Sequence, residues 1–242
     1  MRLKYFIRKI AHKLFIMMDN DYDLNFKSDG ELYLINKLVS KAPKFSVVFD
    51  LGGEKGDWTN FVENNRNDLT IHIFDAYPLM YESIQARFSQ KKNIIINNVA
   101  VSDSDGFSDF YEDTYSIHKR KSVFRDKGIP ISVRTITLDN YINENDIQEV
   151  FFMKMDIEGN EPFALRGAKN SIKDGIFCYI QFEYGGCNID SRTYLKDFYE
   201  IFEGTPYRIG KIHPKHIEYI EKYDRLRENF YDGNWIASRV DC

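Results

Sequence analysis

The sequence predicts an α/β fold of the doubly wound kind, and three observations predict it. Short apolar runs alternate with segments of helical character along the chain. The first of these runs, Val47 to Leu51, carries Asp50 near its end and feeds a glycine turn, Gly52-Gly53-Glu54-Lys55-Gly56. A second run ends in Asp75, roughly 20 residues further on, which is the spacing of a nucleotide-binding half.

Taken in order, the N-terminal stretch from Met1 to Met18 is basic and apolar together and reads as an amphipathic helix. Its longest uncharged apolar run, Leu14 to Met18, is too short for a signal-peptide core or a membrane span. The reading favours packing on its own domain or a subunit partner over a membrane surface. Residues 1–44 form a helical extension, and residues 45–242 form one domain. Strands are expected at Ser46 to Leu51, Thr70 to Asp75, Asn93 to Val101, Val150 to Asp156 and Ile176 to Tyr184. Trp58, Phe61 and Val62 recur at helical spacing after the turn, and Pro78 opens a second helix that runs to Phe88. An insertion around 104–135, with alternating Phe107-Ser108-Asp109-Phe110-Tyr111, reads as a hairpin followed by a helix near Leu138 to Asn145. The tail elaborates the substrate side with a strand at Tyr207 to Ile209, a charged helix from Lys215 to Asn229 and a last strand at Asn234 to Ser238.

Bulk properties narrow the partners. The 242 residues are 43% hydrophobic, enough for one substantial core, and the net charge of −4 removes an overall drive towards nucleic acid. Cys178, Cys187 and Cys242 are odd in number and lack metal-ligand spacing, so neither a disulfide framework nor a zinc site is expected and a reducing cytoplasm fits best.

The chemistry begins in the turn. A dinucleotide loop needs glycine where Glu54 stands, so that backbone can approach a pyrophosphate. A carboxylate there repels a diphosphate and suits a ligand carrying a sulfonium and an ammonium, which favours S-adenosylmethionine over NAD. Asp75 can accept hydrogen bonds from ribose hydroxyls. Further on, Lys154-Met155-Asp156-Ile157-Glu158-Gly159 delivers carboxylates to the C-terminal edge of the sheet, where open α/β folds bind ligands. Lys154, Asp156 and Glu158 can share a side, because residues two apart in a strand point the same way. Glu183, near the end of the next strand, is expected to meet Asp156. Two such carboxylates can hold one proton as a general base or bind a divalent cation, and both options stand open. Glu161 is read as a helix N-terminal residue favoured by the dipole.

The segments Phe49 to Gly56, Asn98 to Asp103, Thr135 to Asp139, Lys154 to Gly159 and Leu165 to Ala168 together resemble the FkbM family of S-adenosylmethionine-dependent methyltransferases, over roughly Phe45 to Glu183. The family pattern usually has Ala-Asn where Gly53-Glu54 stand and commonly Glu at Asp75. The resemblance implies a class I methyltransferase, a Rossmann-like three-layer sandwich on a seven-stranded, mostly parallel sheet whose last strand is antiparallel. It also implies O-methylation of carbohydrate or polyketide hydroxyls, here a nucleotide sugar or surface glycan. On this chain it assigns Asp50, Gly52, Gly53, Glu54 and Gly56 to the methionine moiety, and Asp75 with Ala76 to the ribose. Asn98, Ala100, Val101 and Ser102 fall to the adenine, and Asp156 borders the cofactor.

Methyl transfer requires an aligned oxygen nucleophile and a base for its proton, for which Asp156, Glu183 and the tail histidine His213 are the candidates. Lys154, Glu158, Tyr184, Arg120 and Arg125 are candidates for holding the acceptor, the two arginines through phosphates or acidic glycan groups. An NAD-linked enzyme and a non-catalytic S-adenosylmethionine-binding scaffold are the competing readings, and a homo-oligomer is compatible with all of them.

Overall fold

The computed structural model describes residues 2–21, 26, 28–112, 115–117 and 130–242. Helix α1 (Arg2–Asp19) leads to α2 (Glu31–Lys37), and both precede the first strand, β1 (Val47–Leu51). The glycine turn joins β1 to α3 (Asp57–Asn65), followed by β2 (Thr70–Phe74), α4 (Pro78–Phe88) and β3 (Ile94–Asn97). Proline at the start of α4 costs nothing, because the first turn of a helix has no partner for its N–H. Next come β4 (Ala100–Val101), β5 (Gly106–Phe110) and β6 (Ile131–Ile136), then α5 (Leu138–Glu144) and β7 (Val150–Met155). Helices α6 (Glu161–Arg166) and α7 (Lys169–Lys173) lead to β8 (Phe177–Tyr184), and α8 (Cys187–Ser191) and α9 (Leu195–Phe202) lead to β9 (Tyr207–His213). Strands β10 (His216–Tyr219) and β11 (Gly233–Arg239) complete the chain.

The main sheet runs β10-β9-β11-β8-β7-β1-β2-β3. Strands β3, β2, β1, β7 and β8 are mutually parallel, and β11 is antiparallel to both β8 and β9. This is the expected α/β sandwich with an antiparallel last strand, and it has eight strands where seven were expected. The addition is β10, which folds back on β9 through Pro214-Lys215 and pairs His216 with His213. It lies where the charged tail predicted a helix: the alternation of Ile217 against its charged neighbours had strand period, and only a short 3-10 turn follows, at Arg225–Arg227. The stretch Asn93 to Val101 likewise divides, β3 joining the main sheet and β4 a second, three-stranded sheet ordered β4-β6-β5.

Strand alternation sends two sets of side chains to opposite faces. Phe49, Leu51, Met153, Met155, Ile180 and Phe182 pack with Leu138, Leu165 and Phe198 of α5, α6 and α9. Val48, Ile71, Ile73, Phe152 and Ile236 pack with Leu34, Trp58, Val62, Ile84 and Phe88 of α2, α3 and α4. Part of the N-terminal extension is thus inside the core. Arg66 fastens it there, donating five hydrogen bonds from its guanidinium to the carbonyls of Val39, Ser40 and Ala42 and to both oxygens of Asp68. Helix α1 behaves differently: its apolar stripe is exposed along its whole length, and only the opposite side touches the domain, through His12 on Tyr231 and Asp19 near Arg227. Cys178 and Cys242 form a disulfide with Cα atoms 5.7 Å apart, a correction to the expectation of none, and Cys187 is free. The odd count concealed it because the partners are 64 residues apart.

Candidate active site

The chain direction of the crossovers reverses between β1 and β7: from β1 the sheet grows outward to β2 and β3, from β7 to β8. Such a switch point opens a crevice at the C-terminal strand ends. A cavity of about 400 Å³ lies there, walled by the glycine turn, the end of β2, the β4 strand and the Lys154 to Asn160 segment. Phe110, Tyr115, Ser116 and Ile117 of the insertion close one side.

The turn is shaped by contact. Gly52 has φ of +82°, and a Cβ there would lie 1.8 Å from the carbonyl oxygen of Asp156, so no side chain fits. At Gly56, φ is +76° and a Cβ would meet the Phe88 ring at 2.4 Å; Gly56 shapes the turn and does not line the cavity. Glu54 also takes a left-handed φ of 46°, which aims its N–H at Asp75 Oδ2, 2.8 Å away. Its carboxylate is largely in solvent, 3.5 Å from Lys55 Nζ. The Tyr77 N–H reaches the other Asp75 oxygen at 2.9 Å. Burial pushes the Asp75 carboxyl up to about 6, against the pull of those two N–H donors. Each oxygen retains a lone pair for a diol, so the residue fits a ribose. Asn98 acts from behind, its amide donating to the carbonyls of Asp75 and Ala76.

At the other end, Asp50, Lys154 and Gln181 occupy one rung across β1, β7 and β8. Lys154 Nζ is 3.0 Å from Asp156 Oδ2. Burial works against its ammonium, but Asp156, Glu31 and Asp50 outweigh it and hold it firmly charged. One cation faces three carboxylates, Asp156 exposed, Glu31 half-buried and Asp50 fully buried, and burial raises both Asp50 and Glu31. Glu31, from the start of α2, accepts from Gln181 Nε2 at 2.7 Å. Asp156 and Glu183 each follow the paired residues Met155 and Phe182, so they emerge side by side. Burial, then the charges of Asp156, Glu161, Asp232 and Glu158, push Glu183 well above the usual carboxylate range. Glu161 is fully buried, accepts from the Ile157 N–H at 2.8 Å and is pushed up to about 8, chiefly by burial.

Of the residues singled out from sequence, Gly52, Gly53, Glu54, Asp75, Ala76, Ala100, Val101, Lys154, Asp156 and Glu158 line the cavity. Several others do not. Asp50 lies beneath it, accepting from Thr59 Oγ1 at 2.6 Å, because its strand position points it under the turn. Ser102 is buried and its N–H is engaged by the Ile136 carbonyl. Tyr184 is fully buried with its hydroxyl on Glu228, so it cannot touch an acceptor as placed. His213 is stacked on His216 with ring centroids 4.5 Å apart and has its Nε2 3.4 Å from Glu218, off the cavity. Arg120 and Arg125 lie outside the described residues. Among the described residues no group of three His, Cys, Asp or Glu is arranged to hold a metal ion, so the cation option for Asp156 and Glu183 finds no ligand set.

Sequence reasoning missed Asp57 and Trp58, which line the cavity from the first turn of α3, although their place directly after the glycine turn was a usable signal. It also missed Tyr77, stacked on Phe110, and Asn160, whose amide donates to the Val101 carbonyl at 2.6 Å. Glu31 carried no signal at all, since its partner is 150 residues away.

The model of the methyltransferase FkbM domain matches residues 50–225, well over half of the chain. The chain belongs to the FkbM methyltransferase family. It is accordingly a member of an S-adenosylmethionine-dependent methyltransferase family, as its turn and strand ends suggested. No curated protein matches the sequence. Solved structures similar to this FkbM protein include a SAM-dependent methyltransferase from Aquifex aeolicus, at 12% identity and TM-score 0.47 over 91% of this chain and 95% of that one. Another is Aeropyrum pernix fibrillarin with natively bound S-adenosyl-L-methionine, at 12% identity and TM-score 0.48 over 86% and 72%. A third is a precorrin-6y C5,15-methyltransferase from Geobacter metallireducens, at 10% identity and TM-score 0.44 over 86% and 87%. The family assignment rests on the sequence match and takes nothing from these distant likenesses.

Proposed function

We propose that this FkbM protein transfers a methyl group from S-adenosylmethionine to a hydroxyl oxygen of a carbohydrate, either a nucleotide-activated sugar or a surface glycan. The observation that carries this reading is the placing of Asp156 and Glu183 side by side at the strand ends: Asp156 lines the cavity, exposed and salt-bridged to Lys154, and Glu183 lies half-buried behind that lining with its carboxyl raised. When bound, the cofactor supplies a methyl group already activated on sulfur. Asp75 would hold the ribose diol, and the backbone of Gly52 and Gly53 leaves room for the methionine portion.

The chain must then orient a hydroxyl and take its proton. Glu183 in its ionised form is the base we favour, because a carboxyl whose pKa is raised towards the working pH is a stronger base than an ordinary one. Asp156, kept in place by Lys154, accepts a hydrogen bond from the acceptor. Carboxylates favour hydroxyl donors and repel phosphates, so a sugar ring is the part that would face Asp156, with any phosphate held further out. Arg120 and Arg125 remain candidates for that phosphate.

Two measurements test the proposal. S-adenosylhomocysteine at a hundred times its Kd should stabilise the protein by about 2.7 kcal/mol. Mass spectrometry of candidate nucleotide sugars and glycans incubated with protein and S-adenosylmethionine should then show gain of one methyl group on oxygen. Stabilisation by NAD alone would overturn the cofactor assignment. Methylation only of nitrogen or carbon would overturn the acceptor chemistry, and binding without turnover on any acceptor would favour a scaffold.

A further inference from the structure

Helix α1 is the one long helix of the described residues that the core does not absorb. Leu3, Phe6, Ile7, Ile10, Leu14, Met17 and Met18 fall within an arc of about 120° at 3.6 residues per turn. They are between 46% and 77% exposed, where buried apolar residues of the other helices are nearly inaccessible. A stripe of this width is what a helix normally turns towards a core. Here the opposite side is the one held. His12 meets the Tyr231 ring with centroids 5.4 Å apart, Ile16 is half-buried, and Asp19 lies 3.6 Å from Arg227. Just beyond, Asp21 forms a buried ion pair with Lys211 at 2.7 Å. The body therefore anchors α1 by its far side and aims the apolar stripe outward.

Charge says what covers the stripe. Lys4 and Arg8 flank it on one side, Lys9 and Lys13 on the other, and no acidic residue occurs before Asp19 at the end of the helix. A second copy of α1 would bring these cations against their equals in either orientation, with no acid to answer them. An anionic lipid surface answers them all: long Lys and Arg side chains reach sideways to headgroups while the apolar residues between them enter the acyl boundary. None of the helices among the described residues is long and apolar enough to cross a membrane, and a helix that lies in the interface need not be. We propose that α1 docks this protein onto anionic membrane surfaces, its Leu3-Ile7-Ile10-Leu14-Met17 stripe inserted and its lysines and Arg8 on headgroups.

The test is co-sedimentation of the full chain with vesicles of phosphatidylglycerol and phosphatidylcholine, or of phosphatidylcholine alone. The bound fraction should be more than about tenfold higher on the anionic vesicles and should fall as salt rises. The double variant Ile7→Asp, Leu14→Asp should abolish binding with an unchanged melting temperature, because neither side chain is part of the core. Replacing Lys4, Arg8, Lys9 and Lys13 by Gln should erase the preference for anionic lipid. Protein left in the supernatant with anionic vesicles, equal binding to both vesicle types, or undiminished binding of the double variant would each overturn the proposal. So would a concentration-dependent dimer, seen by light scattering without vesicle binding and lost in the double variant, which assigns the stripe to a second copy.

Discussion

At the β1 end of the cavity Gly52, Gly53 and Glu54 form a backbone turn, whereas at the β7 end Lys154 and Asp156 present charge, with Glu183 of β8 half-buried beside Asp156. The first end is built from neighbours in sequence, a strand, a turn and the helix after it. The second is assembled from four distant segments: Glu31, Asp50, the Lys154–Asp156 pair, and Gln181 with Glu183. Backbone sites are fixed once the chain turns. Charge sites must be balanced, and here one ammonium faces several carboxylates. The donor end should therefore respond to mutation mainly in affinity, and the acceptor end in stability and pH dependence as well.

The largest effect is expected from Lys154→Met, which leaves Asp50 and Glu31 without their cation in a dry environment; unfolding in denaturant should show a loss of about 3–5 kcal/mol. A loss below about 1 kcal/mol would mean that the cluster is solvated and the contrast between the two ends is false. Next is the pH dependence contributed by Glu161. Its folded value of about 8 lies above the ordinary 4.5, so the folded chain binds more protons and its stability is complete below 4.5 and declines as pH rises through 8. That decline amounts to about 1.4 kcal/mol for each pH unit between the two values, and Glu161→Gln should flatten it. Glu183 and Glu31, also raised, act in the same direction.

A sharper division comes from Glu183→Gln. With the acceptor found by mass spectrometry, kcat should fall about a hundredfold or more and the acid limb of the pH profile should vanish, while S-adenosylhomocysteine affinity stays put. Loss of cofactor affinity would place Glu183 on the donor side. The smallest effect belongs to Asp75→Asn, which weakens acceptance from a diol and puts an amide NH2 where one oxygen accepted the Glu54 or Tyr77 N–H, while the sheet stays in place. Titration calorimetry should give S-adenosylhomocysteine binding about tenfold weaker with the fold intact.

The same contrast explains what could be read from sequence. The glycine turn and Asp75 were legible because the geometry they need is local: a positive φ at Gly52 and a carboxylate one strand over. Asp156 and Glu183 were legible because strands ending on one edge bring their last residues together. The role of Glu31 was not, since nothing near it in sequence marks Gln181 as its partner. The tail misled for a different reason: Lys215 to Asn229 is dense in charge, which suggests a solvated helix, yet Glu218 is engaged by Arg227 and His213 beside a strand. His213 and Tyr184 were misassigned because a histidine and a tyrosine at strand ends look available, and only the fold reveals Glu218 and Glu228 already claiming them.

Arg66 gives the N-terminal extension its meaning. With every N–H of the guanidinium committed to Val39, Ser40, Ala42 and Asp68, the stretch before β1 is a welded seam and not a joint. The register of Glu31 against Gln181 is held through that weld, so α2 is tied to the sheet on both sides. A version of the protein trimmed to the matched residues 50–225 would keep the glycine turn and yet lose Glu31, one of the carboxylates that hold Lys154 charged.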